Sequence, residues 1–170
     1  MQGATGLADF ETDPDGIIST SGRFFAQIGL PPRAEPIKFA EWLEHVHPDD
    51  RQRLHEEVLR SMREDDQIEH EFRVVRADTG EVRWLVTHTA IERNEAGETV
   101  RCIGAHLDIT DRKRTEEALR EGEARLRAIL DAMPDCVKIF DADARLVYIN
   151  PRGLNLLEAP DLVSLNTSGH

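Results

Sequence analysis

Residues 101–133, RCIGAHLDITDRKRTEEALREGEARLRAILDAM, decide how the rest of the chain is read. The stretch opens as a strand, with Ile103, Ala105, Leu107 and Ile109 alternating against polar neighbours. It passes through Asp108-Ile109-Thr110 and turns directly into a long charged helix. The residues before it read as one compact domain, and those after it read as the opening of a second. A strand that runs straight into an exposed helix is a mechanical connection, so the pattern points to a sensor that passes a signal on.

The helix has a narrow apolar stripe. Leu119, Leu126 and Met133 are spaced by sevens, and Ile129 falls at the other seam position of the same heptad. Glu116–Arg120, Glu121–Arg125 and Glu123–Arg127 are four-residue pairs in the favourable acid-first order. Such a stripe predicts the seam of a two-stranded coil and hence a homodimer; a solvated helix that only spaces two domains is the alternative. Gly122 occupies a seam position and costs about 1 kcal/mol relative to alanine, so the coil is weak alone.

At 170 residues the chain has room for one full domain and a fragment. A formal net charge of −12 disfavours nucleic acid and anionic membranes, because phosphate binding needs clustered Lys and Arg. No apolar run approaches the length of a membrane span, and the first residues carry neither a basic end nor an apolar core. The two cysteines, Cys102 and Cys136, form no metal or redox motif, and their scarcity fits a reducing cytoplasm.

From the start, 7–12 and 17–20 read as a hairpin about Asp13-Pro14-Asp15-Gly16, a turn in which proline presets one dihedral and glycine takes a positive one. Ser21 is placed to cap a helix carrying Phe24, Phe25 and Ile28, which Pro31-Pro32 stops. A short helix over 39–46 precedes His47-Pro48-Asp49-Asp50, where Pro48 breaks the chain and Asp49 or Asp50 caps a helix running to about Glu64. Three strands come next, 67–76, 81–93 and 100–110, joined by Asp78-Thr79-Gly80 and Asn94-Glu95-Ala96-Gly97. Two strands, a helical middle and a three-strand meander make an α+β fold: one antiparallel sheet with helices over one face.

Four pieces in this order resemble the PAS domain, in the subgroup with a His-Pro-Asp-Asp-Arg helix start and a strand ending in Asp-Ile-Thr. They are Val46–Arg51, Glu71-Phe72-Arg73, Gly80–Trp84 and Gly104–Lys113. The resemblance covers roughly Leu7 to Lys113. It implies a five-stranded antiparallel sheet, helices enclosing a ligand pocket, and a sensory or dimerising role. A weaker repeat lies beyond the helix. Asp141–Ala144 resembles the first hairpin turn, Asn150-Pro151 opens a helix, and from Ser21 and Asn150 the two copies align without gaps. The expected organisation is therefore a PAS sensor domain at 1–110, a linker helix at 111–133 and an incomplete second PAS domain at 134–170. The second copy lacks the central helices and the meander. It is expected either to lack order or to borrow a partner, and the natural protein is expected to continue past His170.

Three groups of residues are candidates for function. Asp108, Ile109 and Thr110 sit where sheet becomes helix: Thr110 can cap the helix and Asp108 can pair with a basic residue of the neighbouring strand. The resemblance implies that they couple the two. Pattern alone puts Phe25, Ile28, Val58 and Phe72 around a pocket for an unidentified small molecule. His70, His88 and His106 are each 18 apart, with Thr79 and Gly97 at the midpoints. Symmetric hairpins would align the three on one face as a metal site or pH-sensitive row, and a one-residue bulge would break the alignment. His55 lies where haem-binding PAS domains carry an axial histidine, but its charged neighbours do not resemble that motif. The Asn-Cys-Arg-Phe motif of flavin-thiol photoreceptors is absent. There is no glycine-rich phosphate loop and no nucleophile elbow, so no catalyst is expected. The leading expectation is a cytoplasmic sensory module that dimerises and signals through its helix to a downstream histidine kinase or diguanylate cyclase. The alternatives are a ligand-free dimerisation and interaction module, and a metal- or haem-binding redox or gas sensor.

Overall fold

The computed structural model describes residues 7–167, so the outer ends of the first and last segments expected from sequence lie outside the described residues. The chain divides into two compact units, Met1–Arg114 and Thr115–His170. The first unit holds strands β1 (Ala8–Thr12), β2 (Ile17–Thr20), β3 (Ile37–Lys38), β4 (Gln67–Val75), β5 (Val82–Arg93) and β6 (Thr99–Asp108). Helices α1 (Gly22–Gln27), α2 (Phe39–Leu43) and α3 (Pro48–Glu64) lie between β2 and β4 in the chain. The antiparallel sheet has the order β3-β2-β1-β6-β5-β4. The five expected strands are present, and two residues, Ile37 and Lys38, add a sixth beside Ile17 and Ile18.

One core holds the helices to the sheet. Phe24, Phe25 and Ile28 from α1 and the turn after it, Leu54 from α3, Phe72 and Val74 from β4, and Leu85 from β5 are all buried in it. Along β6 the buried side chains are Cys102 and His106, while Ile103 is 40% exposed. The apolar alternation that announced this strand therefore lies on the outer face of the sheet, and its polar histidine lies inside.

Local chemistry explains the helix ends. The Nδ1 of His47 accepts from the Asp49 N–H, so His47 is the cap of α3. Asp50, expected as a cap, is instead buried and bound to β4. Its carboxylate accepts from Nε and Nη2 of Arg73 at 2.9 and 2.7 Å and from the Arg73 backbone N–H at 2.9 Å. Ser21 takes the N-cap position of α1 without capping through its side chain, and donates its hydroxyl to Asp9 at 2.9 Å.

The second unit begins within helix α4 (Thr110–Ala132) and continues through β7 (Lys138–Phe140), β8 (Leu146–Ile149), α5 (Pro151–Leu156) and α6 (Leu162–Thr167). The fragment makes its own hairpin, β7–β8, and one buried side chain ties that hairpin to the end of α4. Asn150 donates through Nδ2 to the carbonyls of Leu130, Met133 and Asp135. Its Oδ1 accepts from the N–H groups of Val137 and Gly153. Residues expected to lack order or to need a partner are thus organised around a single amide.

The repeat holds at the level of atoms. Asp13 Oδ1 accepts from the N–H groups of Asp15 and Ile17, and Asp141 Oδ1 accepts from those of Asp143 and Arg145. Helix α1 ends with Gly29 N–H to Ala26 O and Leu30 N–H to Phe25 O, so Gly29 and not the prolines stops it. Helix α5 ends with the same pair, Glu158 to Asn155 and Ala159 to Leu154. At these two repeat positions the first unit has left-handed glycines, Gly16 (φ 76°) and Gly29 (φ 75°); the second has Ala144 (φ 58°) and Glu158 (φ 53°). A Cβ is strained at such angles. Ala144→Gly is therefore expected to stabilise the β7–β8 hairpin by about 1 kcal/mol. Slower amide exchange in both strands would show it; unchanged exchange would mean that the turn relaxes without cost.

Candidate functional site

The first unit encloses a cavity of about 380 Å³ between the sheet and α1, α2 and α3. Val58 and Leu54 of α3, Phe72 of β4 and Phe24 of α1 form much of its wall. Two of the four residues expected there, Val58 and Phe72, do line it. Phe25 and Ile28 do not: they are fully buried in the core. Adjacent residues of a helix point about 100° apart, so when Phe24 faces the cavity its neighbour Phe25 cannot.

His106 is the side chain at the centre of this site. Its ring lies 4.8 Å from Phe10, 5.0 Å from Phe24 in a stack, 5.4 Å from Trp42 and 5.6 Å from Phe72 edge-on. Its backbone carbonyl accepts from Gln27 Nε2 at 3.2 Å, tying β6 to α1. Burial among rings penalises the imidazolium and pushes the pKa of His106 down to about 3. The ring is therefore neutral at physiological pH.

The three-histidine row is not formed. His70 pairs with Thr87, and Thr87 with His106, whereas His88 pairs with Glu69 and Ala105. His88 thus points to the opposite face, where its Nδ1 lies 3.5 Å from Glu69. His70 and His106 share a face with a whole strand between them. Two offsets cause this. The first turn places Val75 opposite Val82, so the mirror point falls between Asp78 and Thr79. The second hairpin carries a bulge next to Arg93. Among the described residues no group of three or more His, Cys, Asp and Glu side chains is placed to hold a metal ion. His55 is exposed and stacks on Phe39 at 6.0 Å, outside the cavity wall. Cys102 lines the cavity, while Cys136 lies before β7 and not on a strand.

The end of β6 is a joint. Asp108 accepts from the Thr110 N–H at 2.9 Å and from the Thr110 hydroxyl at 2.5 Å, and pairs with Arg83 of β5 at 3.0 Å. The cap of α4 is thus the Asp108 carboxylate. The Thr110 hydroxyl instead accepts from the Trp84 N–H at 3.0 Å, and Ile109 N–H donates to Trp84 O at 2.9 Å. A second connection was not foreseen from sequence. The Arg73 guanidinium held by Asp50 lies 5.7 Å from the Trp84 ring, and the Lys113 ammonium lies 5.1 Å from it. Lys113 and Arg112 also pair with Glu71 at 2.5 and 2.7 Å and hold its carboxyl below the usual range. The Glu-Phe-Arg and Arg-Trp pieces of the motif were the signal that could have exposed this chain of contacts.

A six-stranded antiparallel sheet whose helices enclose a small cavity, with a helix leaving from its last strand, defines a sensor-type domain. A family profile described as PAS fold matches residues 17–106, and one described as PAS domain matches residues 124–167. The chain belongs to the PAS family, with a partial second copy after the first. Uncharacterized protein y4lL of Sinorhizobium fredii is 35% identical over 122 residues, 72% of this chain and 14% of that protein. The probable diguanylate cyclase DgcE of Escherichia coli is 29% identical over 150 residues, 88% of this chain and 13% of that protein. The chain thus spans about one-seventh of the length of these curated relatives. The solved structure of a sensory box histidine kinase/response regulator from Burkholderia thailandensis is 30% identical, with a TM-score of 0.62, covering 73% of this chain and 92% of that one.

The depressed pKa of His106 has a pH consequence. Between its ordinary value of 6.5 and about 3, the unfolded chain binds a proton at this ring and the folded chain does not. Stability from this group is full above pH 6.5 and falls by about 1.4 kcal/mol per pH unit below it. The urea midpoint should drop between about pH 6.5 and about pH 5, and His106→Phe should flatten that drop. An equal slope in the variant would show that other groups carry it.

Proposed function

We propose that this chain is a sensory module that reads the occupancy of its cavity and passes the state through α4 to an effector domain. One observation carries the reading. Strand β6 places His106 in the cavity wall and, two residues on, Asp108 at the start of α4. A strand is stiff along its length, so a ligand that shifts His106 shifts the atom that caps the helix. Two of the similar proteins, a probable diguanylate cyclase and a sensory box histidine kinase, support an effector of one of these two kinds. The chain itself acts as regulator and not as catalyst, and it works in the cytoplasm.

The dimer is part of the same proposal. Leu119 and Leu126 are 64% and 57% exposed, and Ile129 and Met133 continue their stripe. A second copy of the helix is the partner that this spacing fits. No helix among the described residues is long and apolar enough to cross a membrane.

Two outcomes are expected. Asp108→Ala removes the cap of α4 and one of the two carboxylate partners of Arg83, costing about 1 kcal/mol locally. Amide exchange over 110–114 should quicken while that of β4 and β5 stays unchanged; no change at the helix start would remove the joint from the mechanism. Leu126→Glu should convert a sedimenting dimer to monomer with the first unit still folded. A variant that remains dimeric at the same concentration would move the contact off the helix.

A further inference from the structure

The cavity has a chemical bias that narrows what it can bind. Its wall is mostly apolar, and the polar groups buried in it are few and uncharged. Thr87 and Thr89 are buried, with their hydroxyls 3.3 Å apart. Trp42 Nε1 and His70 Nε2, both on lining residues, are buried without a hydrogen-bond partner among the described residues. The charged lining residues, Asp15 and Lys38, are exposed at the rim. Arg53 and Glu57, which pair with each other at 2.9 Å, are not among the lining residues.

A carboxylate or phosphate moved among the buried lining groups would lose its hydration and leave its only lining cation, Lys38, behind at the exposed rim. An aromatic ring would meet the faces and edges of Phe10, Phe24, Trp42 and His106, a geometry that rings favour. A single hydroxyl or carbonyl on that ring would meet donors and acceptors from His106 and the two threonines. We propose that the cavity takes an uncharged aromatic compound carrying one or two hydrogen-bonding groups, and that it discriminates against anionic analogues of the same size. This rests on the sensory reading above.

The test is a matched pair of probes, 2-phenylethanol and phenylacetate, titrated calorimetrically into the whole chain at about pH 7. The alcohol should bind at millimolar concentration, and the carboxylate at least about tenfold more weakly. Equal affinities, or a preference for the carboxylate, would overturn the inference; so would binding of neither. Location is read in Trp84→Phe, which leaves Trp42 as the chain's only tryptophan. Neither probe absorbs at the red edge of indole, so the alcohol should change Trp42 emission directly. Heat without that change places binding elsewhere and overturns the assignment. Amide exchange at the start of α4 separates the two claims. Binding that leaves it unaltered sinks the signalling reading and leaves the ligand class standing.

Discussion

Strand β6 is the last strand of the first unit in sequence and sits in the middle of its sheet. It pairs with β1 on one side and β5 on the other. Its register therefore sets three things together: which side chain enters the cavity, how β1 and β2 join the meander, and where the carboxylate that starts α4 is held. A slip of one residue would turn His106 outward, bring an apolar neighbour in, and separate Asp108 from Arg83. Backbone pairs along both edges and the hydrogen bond from Gln27 to the His106 carbonyl hold that register.

Around this strand the polar groups divide by role. Inside, His106 and the paired threonines remain neutral in an aromatic wall. Outside, charges converge on the ring of Trp84: Arg73, fixed by Asp50 at the start of α3, and Lys113, fixed by Glu71. The ion pairs at the surface are individually weak, but Asp50 is buried and makes three hydrogen bonds, which gives that contact a defined geometry. Helix α3 contributes Leu54 and Val58 to the cavity and Asp50 to this outer chain. The cavity and the start of α4 therefore share two lines of contact, one through β6 and one through α3 and β4.

Element type and order were legible in the sequence because turn residues and helix breakers mark nearly every boundary. Side-chain direction was less so. The alternation of Ile103, Ala105 and Leu107 marked a strand without saying which way it faced, and that face is the outer one. The inner face of β6 is written in residues that look polar or small, because it lines a cavity and is not packed solid. The histidine spacing misled for a related reason: equal spacing in sequence survives folding only if both hairpins are symmetric, and neither is. Asp50 was legible as an acid at a helix start, but its partner lies 23 residues away, and no local pattern reports that. The second unit was legible as a repeat through its turn and cap residues. The role of Asn150 could not be read, because its side chain makes five hydrogen bonds to carbonyls and amides that have no side-chain signature.

The position of β6 also orders events during synthesis. Ala8 pairs with His106, so the sheet cannot close until nearly all of the first unit has left the ribosome. The strand that closes it is the one that anchors α4. A chain whose first unit is truncated or misfolded has no anchored helix to present, because the Asp108 that would start it is not in place. The strand that completes the sheet is thus also the one that supplies the carboxylate at which α4 starts.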